Sequence, residues 1–300
     1  MAEGRITVLV ENTAGGRGLL GEHGLSFWIE WDGKRFLFDT GQGHVLLNNA
    51  RRLGIGLDHI DAVVLSHGHY DHTGGLGDVL RNSRATTVYA HPAAFESKYA
   101  RNPDGSARDV GMPDLDEQMI RDMAELVLVE GPTELCRGLH LTGPVPRTTD
   151  FEDTGGAFFK ERSCTQTDDL MDDQAAFLET GVGTVVILGC AHAGVINTLR
   201  HVQSLTGNRS IHTVIGGMHL LHASPERMDK TVDELRRLDV QRLLPCHCTG
   251  MAAVARLWQD FPGRCSACPV GTVVQVGECK KYQGESMLSD TFGETERNDS

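Results

Sequence analysis

Leu65-Ser66-His67-Gly68-His69-Tyr70-Asp71-His72-Thr73-Gly74-Gly75-Leu76 is the stretch on which the reading of this chain turns. It follows Ala62 to Leu65, a short continuous apolar run of the kind found in a strand buried on both faces. In an extended strand exit, residues two apart project the same way, so His67 and His69 can share one metal ion. Asp71 and His72 then turn in at a helix start and can supply a second ion about 3.5–4 Å from the first. A polar loop without function is the bland alternative. So many metal-binding side chains directly after a strand argue against it.

Outside this stretch the composition narrows the field. Forty per cent apolar and 23 per cent charged residues in a 300-residue chain is ordinary globular composition. Lys plus Arg number 28 against 41 Asp plus Glu, a formal charge of −13. Such a surface repels phosphate backbones and anionic lipid, so partners among nucleic acids and membranes are not expected. No apolar run approaches the ~20 residues that span a bilayer, and Ile6 to Val10 is too brief for an export signal. A cytoplasmic location is therefore expected. The eight cysteines then read as thiols or ligands rather than disulfides.

Apolar patterning predicts strands at Ile6–Val10, Ser26–Trp31 and Arg35–Phe38, the last two turned at Asp32-Gly33. A helix is expected at Val45–Leu53 and a strand at Thr87–Ala90. Helices at His91–Arg101 and Leu115–Leu126 should follow, separated by Asn102-Pro103-Asp104-Gly105. Strands are expected at Leu126–Val129 and Gly138–Leu141, then a loop-rich stretch from Thr142 to Asp173. The second half alternates strands Thr184–Leu188, His212–Ile215 and Arg242–Leu244 with helices Val195–Leu205, Pro225–Leu238 and Met251–Phe261. It closes with a strand at Thr272–Val276. Strands clustered first and then alternating with helices suggest two packed sheets with helices outside. No linker divides residues 1–282, which read as one domain, and residues 283–300 read as a polar, disordered tail.

The His-x-His-x-Asp-His run resembles the signature of the metallo-β-lactamase superfamily. That likeness implies an α/β fold, the αββα sandwich of two mixed sheets, with a two-metal site at one edge of the sheets. Asp39 in Phe38-Asp39-Thr40-Gly41 resembles the acidic residue that braces the metal loop in that superfamily; a turn cap is the plainer alternative. Four further segments are similar to the 7,8-dihydropterin-6-ylmethyl-4-(β-D-ribofuranosyl)aminobenzene 5′-phosphate synthase branch. They are Glu22-His23-Gly24-Leu25-Ser26, Leu188-Gly189-Cys190-Ala191-His192-Ala193-Gly194, Ile215-Gly216-Gly217-Met218-His219-Leu220 and Pro245-Cys246-His247-Cys248-Thr249-Gly250.

By this resemblance the metal ligands are His67, His69, Asp71, His72, His192 and His247, each later one following a predicted strand. His192 takes a position that the wider superfamily fills from an earlier histidine motif. Here that neighbourhood holds only His140, inside a presumed strand. Cys190 falls where relatives carry a bridging Asp or Cys, and either a ligand thiolate or a small buried residue fits. Asp71 and His219 are the candidate catalytic groups, His219 being alternatively a packed core histidine. Arg147, in Pro144-Val145-Pro146-Arg147, is the candidate phosphate ligand of the substrate; a solvated surface arginine is the alternative. Cys246, Cys248, Cys265 and Cys268 have spacing that invites a further zinc site, but buried thiols are the simpler reading.

The implied cofactors are two divalent metal ions, zinc first, with iron, manganese or nickel compatible with the same donors. The implied reaction displaces diphosphate from a pterin methyl group with an aminobenzene ribofuranosyl phosphate, a transfer onto a small, phosphorylated substrate. The alternative is a two-metal hydrolase of an ester, lactone or phosphodiester. A metal-binding sensor that keeps the fold is a third, non-enzymatic possibility, and the lack of a basic cluster disfavours a nuclease.

Overall fold

The computed structural model describes residues 4–84 and 86–277, so the expected tail at 283–300 lies outside the described residues. In chain order the strands begin with β1 (Gly4–Val10), β2 (Ser26–Trp31), β3 (Lys34–Phe38), β4 (Ala62–Val64) and β5 (Thr87–Ala90). Next come β6 (Tyr99–Arg101), β7 (Ala107–Asp109), β8 (Glu125–Leu128), β9 (Thr133–Cys136), β10 (Leu139–Leu141) and β11 (Phe158–Phe159). The set closes with β12 (Ala176–Thr180), β13 (Gly183–Leu188), β14 (Ile211–Gly217), β15 (Arg242–Cys246) and β16 (Val273–Val276). The helices are α1 (Leu46–Arg52), α2 (Tyr70–Thr73), α3 (Leu76–Asn82) and α4 (Glu117–Met123), then α5 (Val195–Leu205), α6 (Pro225–Arg237) and α7 (Met251–Asp260). None is long and apolar enough to cross a membrane.

One seven-stranded sheet runs β16-β1-β2-β3-β4-β5-β8, and a six-stranded sheet runs β15-β14-β13-β12-β10-β9. Both are mixed: β1, β2 and β3 are antiparallel neighbours, whereas β3-β4-β5-β8 and β13-β14-β15 are parallel. The β2–β3 hairpin turns at Asp32-Gly33, both with positive φ (51° and 76°), the geometry a two-residue turn needs to match strand twist. Ile6, Val8, Phe27, Ile29 and Phe38 of one sheet pack with Leu139, Leu178, Val185, Ile187 and Ile215 of the other. The opposite strand faces are also apolar because helices cover them. Leu9, Trp28, Leu37 and Val63 meet α1 and α3, while Val186, Leu188 and Val214 meet α5, α6 and α7. The result is the four-layer αββα order.

Two predicted segments differ. The helix expected at His91–Arg101 is a single 3₁₀ turn at Pro92–Phe95 followed by β6. Asn102-Pro103-Asp104-Gly105 is the turn of a β6–β7 hairpin rather than a gap between helices, closed by Asn102 N–H donating to the Ser106 carbonyl (2.8 Å). With β11, drawn from the stretch read as loop, this hairpin forms a small third sheet, β11-β6-β7. Strand pairing outside the two main sheets outcompeted local helix propensity. Edge strand β9 and strand β12 were also not anticipated.

The 3₁₀ turn packs directly on the His-x-His segment. A Cβ on Gly68 would lie 2.2 Å from the Ala94 carbonyl oxygen and 2.8 Å from that residue's Cα, so only glycine fits between the two histidines. Gly68→Ala is expected to destabilise the fold by about 3 kcal/mol, the upper part of the overpacking range. Urea unfolding checks this, and a change within about 0.5 kcal/mol would contradict the packing account.

Candidate metal centre

The site residues stand on loops at the carboxyl ends of strands from both sheets, where open α/β sheets bind ligands. Asp39 follows β3, His67 follows β4, Cys190 and His192 follow β13, His219 follows β14 and His247 follows β15. Asp39, Ala191, His219 and His247 all have φ between 45° and 61°, a left-handed backbone rarely adopted by such residues. These sharp exits turn the side chains inward from the strand ends.

The structure brings together every metal-ligand candidate named from the sequence. Ligand atoms of His67, His69 and His192 lie within 4.8 Å of one another, as do those of His67, His72 and Cys190 and those of His23, Asp71 and His247. The hydrogen-bond partners assign the tautomers. Ser66 Oγ donates to Asp39 Oδ2 (2.7 Å) and so accepts from His67 Nδ1 (2.9 Å). His72 Nδ1 donates to Asp39 Oδ2 (2.7 Å), His192 Nδ1 to the Thr154 carbonyl (2.8 Å) and His247 Nδ1 to Asn12 Oδ1 (3.0 Å). Each of these four rings therefore turns its Nε2 inward.

Those nitrogens lie close to further potential ligand atoms. His72 Nε2 is 3.2 Å from His247 Nε2 and 3.1 Å from Cys190 Sγ, and His67 Nε2 is 3.0 Å from His69 Nδ1. The Nε2 atoms of His69 and His192 are buried without a partner. Approaches this close are bridged either by protons or by a metal cation. Protons do not fill that role throughout. Burial, reinforced by neighbouring histidines, holds His67 and His192 well below the usual imidazole range, and burial takes His69 to about 3. At His72 burial is outweighed by the Asp39 and Asp71 carboxylates, which hold it up to about 9. Asp71 stays well below the ordinary carboxylate range despite burial, because His72, His23 and His247 surround it. Neutral His67, His69 and His192 and an ionised Asp71 are in the protonation states metal binding requires, and His72 would release its proton on binding, so the donor set fits divalent ions.

Beneath the ligands lies a bracing layer. Asp39, fully buried, also accepts the Ser66 N–H at 2.7 Å. Lys98, itself sealed from solvent, pairs with Asp172 (3.0 Å) and Asp168 (3.2 Å), and Asp172 accepts the Gly68 N–H at 2.7 Å. Glu11 accepts the His247 N–H at 2.9 Å. Glu11, Asn12, Ser66, Lys98 and Asp172 were not anticipated, since single polar residues at strand ends carry no distinguishing spacing. His23, 3.1 Å from Asp71, sat inside a quoted motif without a role.

The cluster forms the floor of a cavity of about 880 Å³, lined on one side by His69, Asp71, His192, His219 and His247. His219 Nδ1 is buried without a partner, and its ring centroid lies 4.2 Å from that of His192. Arg147 is placed differently from the expectation. Its guanidinium donates to the backbone carbonyls of His192 (2.8 Å) and Asp169, and it does not line the cavity. It braces the His192 loop from outside. His140 stacks on Phe177 and is remote from this cavity lining.

Comparison with known proteins agrees with this architecture. The family model described as the metallo-beta-lactamase superfamily matches residues 20–247. An uncharacterized protein of Methanocaldococcus jannaschii is 33% identical over 259 residues, 85% of this chain and 94% of its own. The 7,8-dihydropterin-6-methyl-4-(beta-D-ribofuranosyl)-aminobenzene-5'-phosphate synthase of the same organism is 30% identical over 268 residues, 86% of this chain and 91% of its own. The crystal structure of a metal-dependent hydrolase of the beta-lactamase superfamily superimposes with a TM-score of 0.77 at 35% identity, covering 90% of this chain and 98% of that one. With the αββα layers, the His-x-His-x-Asp-His loop and these matches in agreement, the chain belongs to the metallo-β-lactamase superfamily.

Proposed function

We propose that the chain is an enzyme with a two-ion centre. His67, His69 and His192 hold one divalent ion, Asp71, His72 and His247 hold the other, and Cys190 lies between them. Zinc is the expected metal for a donor set this rich in imidazole. The observation that carries the reading is the inward convergence of ring nitrogens, those of His69 and His192 buried without a partner and His72 Nε2 and His247 Nε2 3.2 Å apart. When bound, two divalent ions supply charge that stabilises a departing oxyanion and make water more acidic.

The chain's own residues orient and enclose. Asp39 fixes the His72 tautomer while holding the start of the metal loop through Ser66. Thr154 and Asn12 do the same for His192 and His247, and Arg147 holds the His192 loop by its carbonyl. Asp71 presents its carboxylate between His23 and His247, and His219, whose Nδ1 is buried without a partner, lines the cavity. The likeness to the pterin-related synthase, spread along 86% of the chain, supports transfer as the reaction. An arylamine nitrogen would bond to a methylene carbon as that carbon's bond to a diphosphate oxygen breaks, the amine releasing a proton. Hydrolysis of a small ester, lactone or phosphodiester is the second reading, favoured by the likeness to the metal-dependent hydrolase at 35% identity.

Elemental analysis of the purified protein is expected to find about two divalent ions per chain, in line with a two-ion site. His67→Ala combined with His69→Ala should lose one; an unchanged count would contradict the ligand assignment. Asp39→Asn, which keeps the side chain's shape but removes the charge behind His72 and alters the Ser66 contacts, should weaken metal affinity about 10- to 100-fold in a chelator competition. An affinity within about twofold of wild type would remove Asp39 from that role. Transfer and hydrolysis separate by diphosphate release from a dihydropterin methyl diphosphate. Release that requires an added arylamine supports transfer, and release without one, or turnover of lactones or phosphodiesters alone, supports the hydrolase.

A further inference from the structure

The two halves of the donor set face the cavity in different company. On the Asp71 side the neighbour is polar and exposed. His23, its side chain 53% exposed, reaches Asp71 at 3.1 Å, and its ring centroid lies 5.0 Å from that of His247. On the His69 and His192 side the neighbour is a phenyl ring. The Phe158 centroid lies 4.9 Å from that of His69, 5.2 Å from that of His192 and 6.4 Å from that of His219. These are the separations of packed aromatic rings. Phe158 therefore packs on the two ligand rings whose Nε2 atoms are buried without a partner.

The fold fixes this phenyl ring in place. In β11, Phe158 pairs with Ala100 of β6, in the small sheet whose Ala100, Arg101 and Arg108 also line the cavity. The Phe158 carbonyl accepts the Asp168 N–H at 2.8 Å, and Asp168 pairs with the buried Lys98 at 3.2 Å. Lys98 also holds Asp172, which accepts the Gly68 N–H between His67 and His69. One chain of contacts thus sets the phenyl ring relative to the His-x-His segment. Phe158 belongs to none of the apolar clusters that hold the four layers together, so sandwich packing does not account for an aromatic side chain here.

The residues just before it close on the same side. The Thr154 carbonyl accepts from His192 Nδ1, so one segment contacts His192 twice, at Nδ1 and through Phe158 against the ring. Gly155 has φ of 77°, and a Cβ there would lie 1.8 Å from His219 Cδ2, so bare backbone presses on that ring. Asp153 accepts the Gly155 N–H at 2.7 Å and pairs with Arg227, a buried arginine of α6. A phenyl ring has no hydrogen bond to give water or an anion, whereas His23 and Asp71 supply a donor and an acceptor.

We propose that Phe158 determines where water and small anions reach the centre: it closes the His69–His192 side and leaves entry to the side of His23, Asp71 and His247. The proposal rests on the two-ion reading and deepens it with a rule of access that holds for transfer and for hydrolysis alike.

Azide binding to the cobalt-loaded full chain, followed by visible absorption, tests it. An anion entering on the closed side of the wild type must first part Phe158 from His69 and His192, so Phe158→Ala should tighten azide about tenfold. Phe158→Leu, which keeps an apolar cover, should gain less than about threefold. His67→Ala combined with His69→Ala removes the covered site, and in that background Phe158→Ala should leave azide affinity within about twofold. An affinity in Phe158→Ala within about twofold of wild type, or the full gain in Phe158→Leu or in the double-histidine background, would overturn the proposal. So would loss of cobalt or of the folded circular dichroism spectrum in Phe158→Ala, which would make the residue structural. Cobalt counted on the same samples keeps the two readings apart. Two ions with azide indifferent to Phe158 defeats this proposal alone, whereas one ion in wild type with the azide gain intact defeats only the two-ion centre.

Discussion

A single buried carboxylate organises the metal-facing end of this molecule. Asp39 leaves β3 with φ of 61° and accepts Ser66 N–H, Ser66 Oγ–H and His72 Nδ1–H, all at 2.7 Å. In one step it ties the end of β3 to the exit of β4 and to α2. It also decides which nitrogen of His72, and through Ser66 which nitrogen of His67, faces the centre. An ionised carboxylate without solvent is costly unless every lone pair is engaged, and here the compensating donors are the parts of the metal loop itself. The loop conformation and the charge state of the site are therefore set by the same interactions.

The same economy runs through the rest of the site. Inward-facing imidazoles crowd together, and Thr154, Asn12 and Asp39 hold them there. His72 Nε2 lies 3.2 Å from His247 Nε2 and 3.1 Å from Cys190 Sγ, a convergence in which a metal ion would take the place of protons. The two-sheet core, with Phe27, Phe38, Val185 and Ile187 packed between the layers, supplies the rigidity that keeps these loops together.

Much of this was legible before any coordinates. His67, His69, Asp71 and His72 are adjacent in sequence, so their convergence is a property of one strand exit, and period-two geometry suffices to read it. His192, His219 and His247 are singled out by segments that resemble the family, each of them following an apolar strand. Long-range placement was not legible. Nothing local distinguishes Arg147, spent on the carbonyls of His192 and Asp169, from Arg108, which lines the cavity. The β6–β7 hairpin was missed because His91–Arg101 has the composition of a helix, and its strand character comes only from pairing with Ala107–Asp109 and Phe158–Phe159. The bracing residues Lys98 and Asp172 meet across a sequence separation that no spacing rule spans.

The central claim, two cations held by converging imidazoles with a cysteine between them, is tested most directly by cobalt titration of the metal-free chain followed by optical absorption. The account predicts spectral change up to two equivalents, with a near-ultraviolet thiolate-to-cobalt band that disappears in Cys190→Ser. Saturation at one equivalent or none would contradict the two-ion centre, and a thiolate band unaffected by Cys190→Ser would contradict the place given to that cysteine.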